Sequence, residues 1–447
     1  MPKLITADKL VSKHLTQKDR VLLVNPPVEE TRYSWIRWNQ PLDLLKLGSF
    51  LRTHVRCEVD LVDCMRPSDK GEVKEEWLPR ARRYLSIQNE RYPMRRYGES
   101  ASLVADYIRE KLATDRKKVP THIWITSLCS YWYETIAETC RVVRQTLPDV
   151  QIALLGQYPR LMPEHAKLAC PADFIVTKSI DLEEQAWSLD LYGKDKPPFV
   201  AVRLHPRTAA EAVKSAVENS IYDVTFFEED ICRDGGEPLA EFVSLTENLH
   251  RHLRYHVICG LEAASITPKA ASTLARKKFV ALSLEEADQE GGAVNADAYR
   301  RVTQYLREAG GPEQDDRLTG FVWIGRPNDQ LEQIIRNVFQ VLKSLGSIIL
   351  KPYTPLPGGP DHKAHADYLD AIEPHRMWSP HFFPFAELNG ITRGEYHDLY
   401  RMAAFLNEKV RARAFDFLDG TLGAQLLRES LRKEVWKLEP SPLRVVD

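Results

Sequence analysis

Arg20-Val21-Leu22-Leu23-Val24-Asn25-Pro26-Pro27 is the stretch whose reading decides the fold. Four consecutive apolar residues suit a strand buried on both faces, as in a parallel sheet. Two prolines then stop it, since neither can donate a ladder hydrogen bond. Working outward, apolar Leu44, Leu45, Leu47, Phe50 and Leu51 recur at helical spacing, which predicts a helix over 42–54. Val59–Asp63 reads as the next strand. Residues 66–118 are charge-rich, with a helix expected at 100–113, and read as an insertion. Strand and helix then alternate: strands at His122–Thr126, Gln151–Leu155 and Asp173–Val176, helices at Thr135–Thr146 and Pro163–Leu168. Five such strands make an α/β domain over 20–182, a doubly wound, Rossmann-like parallel sheet. Ligands in such sheets lie at the strands' carboxyl ends, which directs attention to loops 25–28, 127–133, 156–161 and 177–179. Residues 1–19 read as a polar leader arm.

A polar stretch ending in Lys196-Pro197-Pro198 reads as a linker over 183–198. A second alternation follows. Its strands are expected at Phe199–Leu204, Asp223–Phe227, Tyr255–Leu261, Phe279–Leu284, Leu318–Ile324 and Ser347–Tyr353. Six strand–helix units predict a partial (β/α)6 barrel over 199–365, its functional face at the strand carboxyl ends. Residues 366–447 read as a C-terminal helical cap.

Composition narrows the function classes. The 447 residues carry 61 basic and 63 acidic side chains, a net charge of −2, so no cationic surplus is on offer to a nucleic acid. No apolar run reaches membrane-spanning length. Met1-Pro2-Lys3-Leu4 opens no signal-peptide core, and a cytoplasmic location is expected. The seven cysteines, an odd and scattered set, argue against a disulfide framework. No CxxC or CxxxCxxC occurs among them, and the histidines show no HExxH pattern, so no metal site is read.

Motif order now adds detail. Val21–Pro27, the helix opening Gln40-Pro41-Leu42 with Leu47-Gly48, Ile123–Tyr131, Leu147-Pro148-Asp149 and Ile152–Gly156 resemble the cobalamin-binding domain of cobalamin-dependent radical S-adenosylmethionine enzymes. In the second half, Val224–Asp230, Ala281–Glu286, Gly320–Asp329 and Thr354–Pro360 resemble that family's barrel strands and turns, and the likeness spans residues 20–365. The family's cluster motif, CxxxCxxC after the first barrel strand, is absent. The expected strand instead runs into His205-Pro206-Arg207-Thr208, and Cys232 and Cys259 alone cannot supply three ligands. The chain is similar to a degenerate member that has lost its iron–sulfur site.

The resemblance implies cobalamin as the cofactor, held without a histidine ligand because no DxHxxG motif occurs. It places the corrinoid against Asn25, Pro26 and Pro27, against Ser127, Ser130, Tyr131 and Trp132, against Gly156, Gln157 and Tyr158, and against Lys178. Trp38, with Tyr33 and Trp35, would wall a flat macrocycle. Each group also has a plain structural reading: a strand stop, a packed aromatic loop, a helix entry. Glu228, Glu229, Asp230 and Glu285 fall at the barrel mouth, where they suit a cation, a substrate amine or a structural ion pair. Gly235-Gly236-Glu237-Pro238 leaves S-adenosylmethionine open, because it equally suits a helix start. No catalytic residue is named. The leading expectation is a corrinoid-binding carrier, sensor or partner subunit without radical activity, its partners a corrinoid and an active homologous enzyme. The alternatives are a corrinoid-dependent non-radical methyltransferase and an interaction scaffold that has lost both cofactors.

Overall fold

The first unit is built on a six-stranded sheet. In chain order the unit's strands, within that sheet and outside it, are Lys3–Thr6 (β1), Arg20–Asn25 (β2), Val28–Thr31 (β3), Glu58–Asp63 (β4), Glu75–Trp77 (β5), Tyr84–Ile87 (β6), Glu90–Tyr97 (β7), His122–Ser127 (β8), Gln151–Gly156 (β9), Phe174–Lys178 (β10) and Val200–Val202 (β11). A computed structural model describes residues 2–31, 40–68, 72–87, 90–182, 184–194, 196–228, 230–285, 292–312, 316–372 and 375–411. The chain forms two units, residues 1–223 with 356–381 and residues 224–355 with 382–447.

In the first unit the order is β1-β10-β9-β8-β2-β4, every pairing parallel. Taking β2, β4, β8, β9 and β10 as first to fifth, this is the doubly wound order 2-1-3-4-5, which reverses between β2 and β8. Side chains alternate across the sheet. Leu22, Val24, Ile123 and Ile125 enter one buried cluster, while Val21, Leu23 and Trp124 enter the other. Both faces are therefore covered, which is why β2 reads as a continuous apolar run.

The expected leader arm is instead structural. β1 extends the sheet beyond β10, and a helix at Ala7–His14 buries Ala7 and Leu10, with the Thr6 hydroxyl accepting from the Lys9 amide. Its polar look came from one exposed helical face. The 66–118 insertion is an antiparallel layer: β7 pairs with β3, β5 and β6 before the helix Ser102–Thr114. The 183–198 segment, expected as a linker, buries Trp187, Leu189 and Tyr192, and the Tyr192 hydroxyl donates to Asp63 Oδ2 at 3.0 Å. Gln40 ties in β11, its side-chain oxygen accepting from the Ala201 amide at 2.8 Å and its Nε2 donating to the Phe199 carbonyl at 3.3 Å.

In the second unit the strands Asp223–Phe226 (β12), Arg254–Glu262 (β13), Phe279–Glu285 (β14), Leu318–Ile324 (β15) and Ile348–Pro352 (β16) follow one another in sheet order. The pairings from β13 to β16 are parallel. Helices Glu237–Thr246, Pro268–Leu274, Ala296–Glu308 and Leu331–Leu345 alternate with them. The chain is thus α/β with two parallel sheets. The last described helix is Arg393–Arg411, and residues 412–447 of the expected cap lie outside the described residues. Residues 366–381, assigned to that cap from sequence, belong instead to the first unit.

Candidate functional site

The sheet order points to the ends of β2 and β8, and a crevice lies there. Asn25, Pro26, Pro27, Val28, Met65, Thr126, Ser127, Leu128, Trp132, Thr135 and Ile136 line it, around a cavity of about 30 Å³. No acid, base or histidine is in that lining, which is apolar apart from an amide, three hydroxyls and an indole.

Local structure explains each wall. Asn25 ends β2 and donates through Nδ2 to Asp63 Oδ1 at 2.7 Å, while the same oxygen accepts from the Met65 amide at 3.0 Å. The side chain thus staples two strand ends together. Pro26 and Pro27, both buried, carry the chain from β2 to β3. Ser127, buried at the end of β8, donates to the Cys129 carbonyl at 3.3 Å. Ser130–Trp132 forms one 3-10 turn that opens the helix Tyr133–Thr146.

Trp132 is held from beneath by a buried carboxylate. Its indole Nε1 donates to Glu30 Oε2 at 3.3 Å, the same oxygen accepts from the Ser379 hydroxyl at 3.2 Å, and Glu30 Oε1 accepts from the Thr31 amide at 3.0 Å. Glu30 and Ser379 are both buried. Burial pushes the Cys129 thiol up to about 12 and the neighbouring Tyr131 phenol well above its usual value. Burial also lowers the pKa of His381, against the opposing charge of Glu30. One residue earlier, Glu29 is buried with Arg96 Nη2 at 2.8 Å and Arg82 Nη2 at 3.1 Å, and Arg96 also reaches Glu138 at 2.8 Å.

The structure therefore brings together five of the sequence candidates: Asn25, Pro26, Pro27, Ser127 and Trp132. Ser130 and Tyr131 share the turn but do not line the crevice. Gly156 serves packing: its φ is +95°, and a Cβ there would overlap the Ser127 backbone, so the ends of β8 and β9 meet only with glycine. Gln157 and Tyr158, expected on a loop, start a short helix at Gln157–Leu161. Tyr158 is fully buried and its hydroxyl lies 2.7 Å from His165 Nδ1, so it faces the core rather than a ligand. Lys178 ends β10, exposed. Trp38, Tyr33, Trp35 and Glu229 lie outside the described residues. Glu30 and Ser379 were missed: a Glu-Glu pair after two prolines reads as a solvated turn, and residue 379 is 349 positions away.

In the second unit, Glu285 ends β14 and pairs with Lys351 Nζ at 2.9 Å. That ammonium also donates to the Cys259 carbonyl at 3.4 Å and lies 4.3 Å from the Trp323 ring centroid. Its three protons thus have a carboxylate, a carbonyl and an aromatic face. Gly260, at φ +96°, makes room, since a Cβ would sit 2.8 Å from Glu285 Oε2. Glu228 lies 3.5 Å from Arg233, and Asp230 is exposed. Gly235-Gly236-Glu237-Pro238 is a helix start: Gly236 has φ +90°, and the helix begins at Glu237. Among the described residues no group of three or more metal-ligating side chains occurs.

No protein-family model matches the chain, and no curated protein matches it. Among solved structures, a radical S-adenosylmethionine methyltransferase, TsrM, from Kitasatospora setae with cobalamin and a 4Fe–4S cluster bound is 12% identical. That match covers 77% of each chain at a TM-score of 0.46. An extracellular ligand-binding receptor from Verminephrobacter eiseniae is 9% identical over 85% of this chain and 84% of its own, at a TM-score of 0.16. Both likenesses are coarse.

Proposed function

We propose that this chain is a corrinoid-binding carrier, sensor or partner subunit with no radical chemistry of its own. The observation that carries the reading is the crevice at the reversal of strand order between β2 and β8, the place where doubly wound sheets take their ligands. The fit is one of chemistry. An uncharged lining of amide, hydroxyls and indole suits the amide-fringed, largely apolar body of a corrinoid, and no histidine stands in that lining to ligate cobalt from below. Pro26, Pro27 and Ser127 would form the floor and Trp132 the side wall. When bound, the group supplies a cobalt centre that carries a methyl group or senses its own redox state.

The connection after β11 supports the non-radical part. Only Arg203, Leu204 and His205 separate Val202 from the helix that starts at Pro206, and no CxxxCxxC exists anywhere in the sequence. Three residues leave no loop to present three thiolates to a cluster.

Incubation with hydroxocobalamin followed by desalting tests the proposal. A retained corrinoid spectrum near one equivalent supports it, and a colourless protein refutes the corrinoid part. Anaerobic reconstitution with iron and sulfide tests the other half, and a stoichiometric cluster absorbance would overturn it. A second reading, a scaffold without cofactor, is favoured by one observation: the crevice holds only about 30 Å³, room for little more than a water molecule or two.

A further inference from the structure

The charge balance of the whole chain hides one local surplus. From Trp77 to Arg96 stand six arginines and a single acidic residue, Glu90, in a chain whose net charge is −2. The stretch builds the antiparallel layer of the first unit, and its register sorts the side chains onto two faces. Tyr92 and Met94 of β7 are buried. Residues directly opposite each other in an antiparallel pair share a face. Trp77 opposite Arg95, Tyr84 opposite Pro93 and Ser86 opposite Arg91 therefore make up the other, outer face. Guanidiniums lie over rings there. Arg95 is 3.5 Å and Arg83 4.8 Å from the Trp77 ring centroid, and Arg91 is 4.4 Å from that of Tyr84.

Carboxylates match only half of these cations. Arg82 and Arg96 turn to the buried Glu29, and Arg95 pairs with Glu75 at 2.9 Å. Among the described residues no carboxylate pairs with Arg80, Arg83 or Arg91. Arg80 and Arg91 are exposed, Arg83 is half-buried, and Tyr84 is 36% exposed. A guanidinium laid over a ring holds its N–H edges in a fixed plane, and such an edge matches two oxygens of one phosphate.

We propose that this outer face of β5, β6 and β7 binds single-stranded nucleic acid, with Arg80, Arg83 and Arg91 on phosphates and Tyr84 stacked on a base. Cations interleaved with aromatic rings fit a strand that offers both charge and unpaired bases. Arg91 occupies one side of the Tyr84 ring, and a base would stack on the other. An acidic peptide has the charge without the bases, and a duplex keeps its bases stacked inside. None of these residues lines the strand-end crevice, so the inference does not depend on what that crevice holds.

The test is fluorescence anisotropy of a labelled, mixed-sequence single strand of about 12 nucleotides, titrated with the full chain across a salt series. A dissociation constant on the order of micromolar is expected at low salt, with three phosphate contacts giving a slope of log affinity against log salt of about −2. Changing Arg80→Gln, Arg83→Gln and Arg91→Gln together is expected to weaken binding at least about tenfold and to flatten that slope. Tyr84→Ala is expected to weaken it about fivefold with the slope kept, because a stacked base carries no counterion. The control removes as much charge elsewhere: Arg116→Gln, Lys117→Gln and Lys118→Gln together, on the exposed turn before β8, are expected to bind like wild type. Circular dichroism melting shows that each variant folds. Should the first triple variant not fold, Arg80→Gln and Arg91→Gln singly replace it, each expected to bind about threefold more weakly. No anisotropy change with the wild-type chain would overturn the proposal. Equal losses in the two triple variants would overturn it too, since net charge alone would then explain binding. Displacement of the strand by an equal concentration of a poly-glutamate peptide, or equal binding of a duplex, would overturn the choice of a single strand.

Discussion

Replacing Arg96 by methionine would strip the buried Glu29 carboxylate of its nearest partner. Glu29 has no exposed side-chain surface, and Arg96 lies 2.8 Å from it, with only 13% of its own side chain exposed. Burial works against the guanidinium's charge, yet the hydrogen bonds it donates to Glu29 and Glu138, with the charges of those carboxylates, more than offset it and raise its pKa. Breaking one side of such a pair costs about 3–5 kcal/mol when nothing compensates. Here Arg82 remains, at 3.1 Å from Glu29 but 43% exposed, so the lower end applies, about 3 kcal/mol. For a unit of this size that corresponds to a melting temperature lowered by roughly 6–12 °C. Glu29→Gln combined with Arg96→Met removes the stranded charge and should recover much of the loss. Thermal unfolding by circular dichroism on the single and double variants measures both quantities. If Arg96→Met melts within a degree or two of wild type, the insertion layer is not pinned to β3 by this pair. If the double variant is as unstable as the sum of the singles, the cost is lost packing rather than stranded charge.

Three further outcomes follow from burial. Burial lowers the pKa of both His122 and His381, against the pull of Asp19 and Glu30 respectively. The folded chain keeps both neutral while the unfolded chain takes up protons first, so stability is complete above about pH 6.5 and declines as pH falls from there. A melting temperature that holds or rises between pH 7.5 and 5.5 would contradict this, and His381→Gln should flatten part of the slope. Gly156→Ala forces a Cβ onto the Ser127 backbone at φ +95° and should cost at least about 1–2 kcal/mol, read by urea unfolding. Maleimide labelling of the native chain should modify the half-exposed Cys259 before Cys57, Cys64, Cys140, Cys170 and Cys232, which are buried, and before Cys129, whose thiol burial pushes up to about 12. Equal labelling of all seven would show a far looser core.

Much of the first unit was legible because apolar runs report burial directly. Val21–Val24 and Ile123–Ile125 are covered on both faces, so their sequences carry the sheet without ambiguity. What failed were short elements at the edge of the sheet or over its surface. β1 and the helix after it read as an arm because four residues of strand show no period, and the 183–198 segment read as a linker although Tyr192 seats its hydroxyl on Asp63. Of the strand-end candidates, those next to a chain-breaking proline or at the end of a buried strand came together in the crevice. Tyr158 did not, because the turn after Gly156 is helical and drives the ring inward. Glu30 and Ser379 had no local signal at all. Their chemistry exists only across a separation of 349 residues, and a charged residue beside a loop has every reason to be taken for solvated.

The polar groups at both sets of strand ends share one property that bears on what either can hold. Asn25 is spent on Asp63, Ser127 on a carbonyl and Trp132 on Glu30. In the second unit, Glu285 is matched by Lys351, whose remaining protons face a carbonyl and Trp323. A ligand entering either face would have to supply replacements for these bonds, since each group left unmatched in a buried place costs about 1–3 kcal/mol. A ligand that merely fills space would bind poorly, whereas one rich in amides and carbonyls can exchange bond for bond. A corrinoid's fringe of side-chain amides has that character. Asn25→Ala would not free a donor for ligand but would take from Asp63 one of its donors, leaving the Met65 amide and the Tyr192 hydroxyl, and lower stability by about 1 kcal/mol. It would weaken corrinoid retention only as much as it loosens the junction of β2 and β4. Retention lost in a variant that melts like wild type would show instead that the Asn25 amide serves the ligand directly.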